Sequence, residues 1–359
     1  MEISTYYSTL TTGQPEEGWR KRLRTAYQIL IPITLAFIML AMGCDIQPKV
    51  VIKTLKRPLA PIIGASCQFI LLPLVAFGMG KAFNYETEIG VGMLIVACCP
   101  GGAVSNIFCY WTRGNLTLSV TMTSISTVLA FGFMPLNLFI YTRGFNSRNV
   151  KVPYLEIFLG LVLTLVPLTI GGFIKRFFPK AAGVFIRIGS FAGIAMIIMA
   201  GIMQRFIYSN NAKRKDSWKI ILGAAILPLL GFFLGFGISS LAFKWLKMPE
   251  RRTIAFETSC QNVGLALTLV SFAFKGTRDQ IGAYTQFPLF FSLFMMVEAI
   301  GLCIFIKGYQ IYKDKKRVVH ESPQKDNLDQ NDHGKIPELT ESENGVIINK
   351  AFMDSFHKL

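Results

Sequence analysis

The chain contains nine long runs of mostly apolar residues, and these runs restrict its fold more than any other feature of the sequence. Each run has 18 or more residues, enough for a helix to cross the hydrocarbon core of a bilayer. The sequence therefore predicts an all-α polytopic membrane protein with about nine transmembrane helices. The predicted spans are residues 27–44, 58–80, 89–112, 115–140, 154–174, 183–206, 217–246, 252–274 and 282–306.

The composition and the placement of charge agree with a membrane protein. The chain is 52% hydrophobic and only 16% charged, which is rare for a soluble globular protein. Its formal net charge of +16 could suggest nucleic acid as a partner. The basic residues lie in the short connections between apolar runs, however, so the lipid bilayer with its anionic headgroups is the expected partner and nucleic acid is not.

Three regions follow from these patterns. Residues 1–25 are polar and then basic, and we expect an extracellular segment there. Residues 26–307 form the expected transmembrane transporter domain. Residues 308–359 are rich in charged and polar residues and are expected to be a disordered cytoplasmic tail. Nine spans place the two termini on opposite faces, and the Lys and Arg count favours an outside N-terminus in the cell membrane.

The cysteines and histidines argue against several kinds of site. All seven cysteines lie in or beside predicted spans without a CxxC pair, so neither a disulfide framework nor a zinc site is indicated. The three histidines, His320, His333 and His357, all lie in the tail. The predicted spans also contain no paired aspartates and no arrangement of nucleophile and base. We therefore expect no enzyme activity and no cofactor.

Two of the nine runs contain residues that a membrane helix ordinarily avoids. In the third run Pro100 removes an amide donor, and Gly101 and Gly102 loosen the helix. In the eighth run a carboxylate, Glu257, lies five to six residues from the nearest loop. Polar and charged groups in hydrocarbon are costly unless they have a function or a partner. We therefore interpret the two runs as the halves of one cation and solute site.

An internal repeat brings these two runs into equivalent positions. Three landmarks recur at an offset of about 155 residues. They pair residues 72–80 with 227–235, Ser105-Asn106 with Gln261-Asn262, and residues 133–136 with 286–289. Five predicted spans begin between the copies, an odd number, so equivalent helices cross the membrane in opposite directions. This predicts an inverted-topology repeat of residues 58–140 and 217–306, with two broken helices that meet near the bilayer midplane, as is common in secondary transporters.

Glu257 decides the chemistry expected of the site. A buried carboxylate either takes up a proton or stays ionised beside a cation, and no Lys or Arg follows Arg252 in this run. Neutral oxygens are expected around it from Gln68, Ser105, Asn106, Ser119, Thr123 and Gln261. Many neutral oxygens with one carboxylate suit sodium, whereas calcium and magnesium usually take more carboxylates and zinc takes nitrogen or sulfur. Sodium is thus the only metal ion expected.

A structural explanation stays open beside this one. Pro100 can kink a helix without any bound ligand, and polar side chains can hold membrane helices together by hydrogen bonds. This explanation applies more readily to Pro100 alone than to Glu257 with its neighbours Gln261 and Asn262.

These motifs resemble those of the bile acid:sodium symporter family, whose members carry bile salts and sulfated steroids. The resemblance extends from about Met42 to Lys307. It rests on Cys98-Cys99-Pro100-Gly101-Gly102, Ser105-Asn106, Leu118-Ser119-Val120-Thr121-Met122-Thr123, Arg252-Thr253-Ile254-Ala255-Phe256-Glu257-Thr258 and Gln261-Asn262.

The resemblance implies a two-sodium symporter in which a core domain rocks against a panel domain. It implies one sodium site formed by the side chains of Ser105, Asn106, Ser119, Thr123 and Glu257. It implies a second formed by Gln68 and Gln261 with backbone oxygens around Glu257, Thr258 and Cys260. Asn262 would face the substrate cavity. Two sodium ions beside one carboxylate leave one positive charge, which a monovalent organic anion would neutralise.

The expected function is sodium-coupled import of an amphipathic organic anion, a bile salt or a steroid sulfate, by alternating access. The bile-acid carriers of the family tend to have a second glutamine shortly after the Gln-Asn pair, where this chain has Gly264. A steroid sulfate is therefore as plausible a substrate as a bile salt. The alternative is a proton-coupled or uncoupled carrier of organic anions on the same scaffold.

Overall fold

The described part of the protein is built almost entirely of helices. A computed structural model describes residues 18–46, 48–56, 58–145, 153–207, 217–242, 244–274, 278–321, 339–341 and 347–349. The first helices are α1 (Gly18–Asp45), α2 (Pro48–Leu55), α3 (Leu59–Ser66), α4 (Leu72–Ala82), α5 (Thr87–Ala97), α6 (Val104–Trp111) and α7 (Leu116–Thr142). They are followed by α8 (Tyr154–Phe177), α9 (Pro179–Ile207), α10 (Ser217–Leu241), α11 (Met248–Ser259), α12 (Val263–Ala273) and α13 (Arg278–Glu321).

Five helical stretches are long and apolar enough to cross a membrane, judged by length and composition among the described residues. They are Leu59–Ala82, Leu116–Thr142, Tyr154–Phe177, Ser217–Leu241 and Ile281–Asp314. Shorter apolar helices accompany them, and two of these, Thr87–Ala97 and Val263–Ala273, are each one half of the predicted third and eighth spans. The predicted all-α polytopic membrane fold is thereby confirmed, while the number of nine spans and the inverted direction of the repeat stay predictions.

The distribution of side chains is that of a protein surrounded by lipid. Large apolar side chains point outward, as at Phe173 on α8 and Phe305 on α13, which are 63% and 73% exposed. Hydroxyl and amide side chains are buried instead, including Gln68, Ser119 and Gln261. An exposed apolar surface of this kind is stable against hydrocarbon. The polar interior, by contrast, requires internal partners.

Helices α1, α8 and α9 pack against one another, and α12 lies against α1 and α8. The contact between α1 and α8 is a close approach of backbones at Gly43 and Gly171. A Cβ atom on Gly43 would lie 2.0 Å from the carbonyl oxygen of Leu168, and one on Gly171 would lie 2.1 Å from that of Leu40. Small residues permit this spacing between membrane helices. The three helices are a candidate for the predicted panel.

We expect Gly171→Ala to lower the thermal midpoint of the purified protein, because the new methyl group would force α1 and α8 apart. Overpacking of this kind typically costs about 1–3 kcal/mol. The adjacent Gly172 is the matched control, since a Cβ atom there would meet nothing within 4 Å. A thermal melt in detergent measures both variants. Equal midpoints for Gly171→Ala and Gly172→Ala would contradict the close contact.

A short π-helical segment, Cys67–Leu71, joins α3 to α4. Pro73 lacks an amide proton and leaves the carbonyl of Phe69 without its usual helical donor. The side-chain amide of Asn137 on α7 donates to that carbonyl at 2.7 Å instead. π-helical turns occur frequently at functional sites, and this one carries the buried Gln68.

The first and last long helices extend furthest beyond the predicted boundaries. Helix α1 begins at Gly18, before the predicted start at residue 27, because the intervening Arg, Lys and Leu residues favour a helix. The rest of the predicted N-terminal segment, residues 1–17, lies outside the described residues.

The chain divides into two units after Tyr309, and the second unit begins at Gln310. A disordered tail was predicted from residue 308, but part of the described chain after that residue is helix and strand. Helix α13 ends at Glu321. Two three-residue strands, β1 (Leu339–Glu341) and β2 (Ile347–Asn349), pair antiparallel with Thr340 opposite Ile348. The charged residues at the end of α13 are good helix formers, so the end of the apolar run is not the end of the helix.

Candidate functional site

The predicted third and eighth spans are each broken into two helices. The first break separates α5 from α6, at the segment that contains Pro100, Gly101 and Gly102, and the second separates α11 from α12. The sequence predicted both breaks, the first from Pro100 and its glycines and the second from the polar residues that follow Glu257. In both spans the helical ladder of hydrogen bonds is interrupted near its middle.

The two breaks meet and pair with each other. The amide of Gly102 donates to the carbonyl of Cys260 at 2.8 Å, and the amide of Asn262 donates to the carbonyl of Pro100 at 2.9 Å. Gly101 and Gln261 thereby form an isolated antiparallel bridge. A Cβ atom at Gly102 would lie 2.9 Å from the carbonyl oxygen of Gln261, so a side chain there would push the segments apart. We call residues 98–103 and 260–262 the crossing.

The carboxylate of Glu257 lies beside the crossing and is 1% exposed. Its Oε1 atom accepts hydrogen bonds from the hydroxyls of Ser105 at 2.6 Å, Ser119 at 2.5 Å and Thr123 at 3.0 Å. The Thr123 hydroxyl is also 3.0 Å from Oε2, and the Ser119 hydroxyl is 2.7 Å from Oδ1 of Asn106. All five residues expected at the first sodium site are thus brought together.

This cluster has more acceptors than protons. The three hydroxyls carry three protons, and within their reach lie both Glu257 oxygens, Asn106 Oδ1 and the carbonyl oxygens of Gly102 and Ser119. Within the part of the chain that the structure describes, no basic side chain makes an ion pair with Glu257. A bound cation would satisfy the surplus oxygens and the buried charge, and the donor set, all oxygen with one carboxylate, suits sodium.

The side chains expected at the second sodium site, those of Gln68 and Gln261, lie near Gly101. A Cβ atom on Gly101 would lie 2.6 Å from Oε2 of Glu257 and 3.4 Å from Nε2 of Gln68. Gln261 donates its amide to the carbonyl of Thr258 at 2.9 Å, and its Oε1 atom is buried without a partner among the described residues. The Gln68 amide nitrogen is likewise buried and unpartnered there. A buried oxygen without a partner is costly, and a cation would satisfy that of Gln261. Gln68 would bind a cation through its Oε1 atom, because an amide nitrogen is only a donor.

The backbone carbonyls of Thr258 and Cys260, expected as ligands of the second sodium ion, lie at the end of α11 and in the crossing. The carbonyl of Thr258 faces the Gln261 amide, while the Thr258 hydroxyl donates to the carbonyl of Ile254 at 2.8 Å. The carbonyl of Cys260 accepts from Gly102 in the crossing. A carbonyl oxygen has two lone pairs, so both carbonyls keep a free acceptor position for an ion.

Two positioning residues were missed by the sequence analysis. The amide of Gly101 donates to the hydroxyl of Ser126 at 3.2 Å, which ties the crossing to α7. Asn137 supports the π-helical segment that holds Gln68. Ser126 could have been found, because it lies three residues after Thr123 and seven after Ser119, on the same face of α7. Asn137 carried no such signal.

Asn262 caps a helix and borders a cavity. Its side-chain oxygen accepts from the amide of Leu265 at the start of α12, at 3.0 Å. The cavity lies between the crossing, α1 and α9. Its lining is Ile38, Ala41, Met42 and Asp45 from α1, Ile186, Gly189 and Gly193 from α9, Met295 from α13, and Gly102, Ala103, Val104, Asn106, Ile107, Gln261, Asn262, Val263 and Gly264. Helices α6 and α12 both begin there, and helix N-termini favour anions.

Comparison with known proteins gives a consistent set of relatives. Residues 32–214 match the model of the Sodium Bile acid symporter family. The chain is 35% identical to the ileal sodium/bile acid cotransporter of Homo sapiens, over 83% of this chain and 84% of that protein. It is 32% identical to the human hepatic sodium/bile acid cotransporter over 82% and 85%. It is 28% identical to the human sodium-dependent organic anion transporter over 83% and 77%.

Proposed function

Because the chain belongs to the sodium bile acid symporter family, and is therefore a multi-pass membrane transporter and not an enzyme, we propose that it imports an amphipathic organic anion together with sodium. The relatives are named as bile acid and organic anion carriers, and a bile salt or a steroid sulfate is the proposed substrate class. The observation that carries the proposal is the buried Glu257 carboxylate among more acceptor oxygens than hydroxyl protons.

The proposed first sodium ion binds between Glu257, Ser105, Asn106, Ser119 and Thr123. The second binds beside Gly101, between the side-chain oxygens of Gln68 and Gln261 and the nearby backbone carbonyls. Both ions lie on the α7 and α11 side of the crossing. Sodium there would hold the two broken spans together. Its ligands come from those spans and from the helical segments that pack against them.

The proposed transport cycle uses the cavity on the other side of the crossing. An anion in the cavity would meet the N-termini of α6 and α12 and the positive charge of the bound sodium ions. Movement of α1, α8 and α9 relative to the remaining helices would then expose the cavity alternately to the two faces. With two sodium ions and one monovalent anion, each cycle moves one net charge, worth about 2.3 kcal/mol per 100 mV. We place the N-terminus outside and the C-terminus in the cytoplasm, in the plasma membrane.

Replacing sodium by choline in an uptake assay tests this function. Cells expressing the protein should take up labelled taurocholate or estrone sulfate at least about tenfold faster in sodium than in choline, since an empty carboxylate site leaves a costly buried charge. Equal uptake in the two buffers, above that of untransfected cells, would contradict sodium coupling. Uptake in choline driven by an acid outside solution would instead support the proton-coupled alternative.

A further inference from the structure

The cavity next to the crossing has one charged wall that the sodium sites do not use. Asp45, the last residue of α1, lines the cavity and is the only ionisable side chain among its described lining residues. The crossing side of the lining contains the first residues of α6 and α12 and the side-chain amides of Asn106 and Asn262. An anion carrier would be expected to place a cation in such a wall, and this chain places a carboxylate there.

The position of Asp45 in its helix is unfavourable for stability. Backbone carbonyls at a helix C-terminus carry a partial negative charge, so an acidic residue there is disfavoured and a basic one is preferred. Helix α1 has no basic residue in its last turn. The positive charge of Lys175 on α8 acts on Asp45, but Lys175 is not part of the cavity lining. Lys175 thus offsets part of the negative potential of Asp45, whose carboxylate still borders the cavity.

The electrostatic potential therefore differs between the two walls of the cavity. The N-termini of α6 and α12 favour negative charge at the crossing, and the end of α1 with Asp45 disfavours it at the wall that α1 forms. A substrate with a single anionic group can place that group at the crossing. A second anionic group at the far end of the same substrate would lie against a carboxylate, and like charges in a partly desolvated site repel strongly.

We propose that Asp45 is a specificity-determining residue that restricts the substrate to one anionic group and favours a hydrogen-bond donor, a hydroxyl or an ammonium, at its opposite end. The proposal rests on the proposed function, because it concerns the same cavity and the same substrate class. The carboxylate of Asp45 accepts a hydrogen bond from a donor of this kind. It has no favourable interaction with a sulfate or a second carboxylate.

A matched pair of bile salts tests the proposal with the full-length protein. Taurolithocholate carries one negative charge and a free 3-hydroxyl, and its 3-sulfate carries two negative charges on the same skeleton. We expect the wild type to take up taurolithocholate with an efficiency at least about tenfold higher than that of the sulfate. A tenfold ratio corresponds to the repulsion between two like charges across such a cavity. In Asp45→Asn and Asp45→Ser this ratio should fall about tenfold, mainly through better uptake of the sulfate. Asp45→Glu keeps the charge and should keep the ratio.

Thermal stabilisation of the purified proteins in sodium by each bile salt gives a second readout that does not depend on transport. A ratio that is the same in the wild type, Asp45→Asn and Asp45→Ser, in uptake and in stabilisation, would overturn the role of Asp45 and leave the proposed function intact. The proposed function fails, and this inference with it, if the wild type in sodium takes up neither bile salt nor labelled estrone sulfate and is stabilised by neither bile salt. A melt in sodium alone shows that each variant is folded.

Discussion

Glu257→Gln is expected to abolish sodium-dependent uptake. The amide keeps the size of the carboxyl group, and its oxygen can still accept from Ser105, Ser119 and Thr123. It cannot neutralise a cation. A unit charge 4 Å away is worth about 4 kcal/mol at an effective dielectric constant of 20, so sodium affinity should fall roughly a thousandfold.

The stability of the purified variant separates this effect from misfolding. In the absence of sodium, Glu257→Gln should melt at the same temperature as the wild type or higher, because it removes a buried charge that lacks its counter-ion. Sodium should raise the midpoint of the wild type and not that of the variant. Glu156→Gln, in the first turn of α8, is the matched loss of charge away from the crossing and should behave as the wild type. Sodium-dependent uptake at the wild-type rate by Glu257→Gln would remove this carboxylate from the mechanism.

The second large effect is expected from Gly101→Ala. The added methyl group would lie 2.6 Å from Oε2 of Glu257 and 3.4 Å from Nε2 of Gln68, which is the space between the two proposed sodium sites. We expect the variant to lose at least about 100-fold in sodium affinity, since misplacing a ligand set by about 1 Å is enough to disable a binding site. The readout is the sodium concentration that gives half-maximal thermal stabilisation.

A control glycine makes this result specific. A Cβ atom on Gly237 in α10 would meet nothing within 4 Å, so Gly237→Ala carries the same chemical change without a clash. It should keep the sodium affinity and the uptake rate of the wild type. If Gly101→Ala binds sodium as tightly as Gly237→Ala does, the space around Gly101 is not part of the ion site.

The helices and the residues of the site were largely predictable, because both leave local signals in the sequence. Apolar runs locate membrane helices, and Pro100 and the polar residues around Gln261 locate the breaks. Ser119 and Thr123 are four residues apart and so share a face of α7. Helix ends were less predictable, as at Gly18 and Glu321, because charged residues with high helix propensity extend a helix beyond its apolar part without changing the hydropathy pattern.

The sequence by itself determined which chemical groups this protein carries into the membrane: one carboxylate in the eighth run, hydroxyls and amides at helical spacing, and two helices that cannot continue unbroken. Only the tertiary structure decided that Ser105, Ser119 and Thr123, between 134 and 152 positions away from Glu257, converge on that one carboxylate. It also decided that Asp45 at the end of α1 faces the cavity beside the crossing. The reason is physical: local spacing fixes the face of a helix on which a side chain lies, and only the packing of helices decides what that face meets.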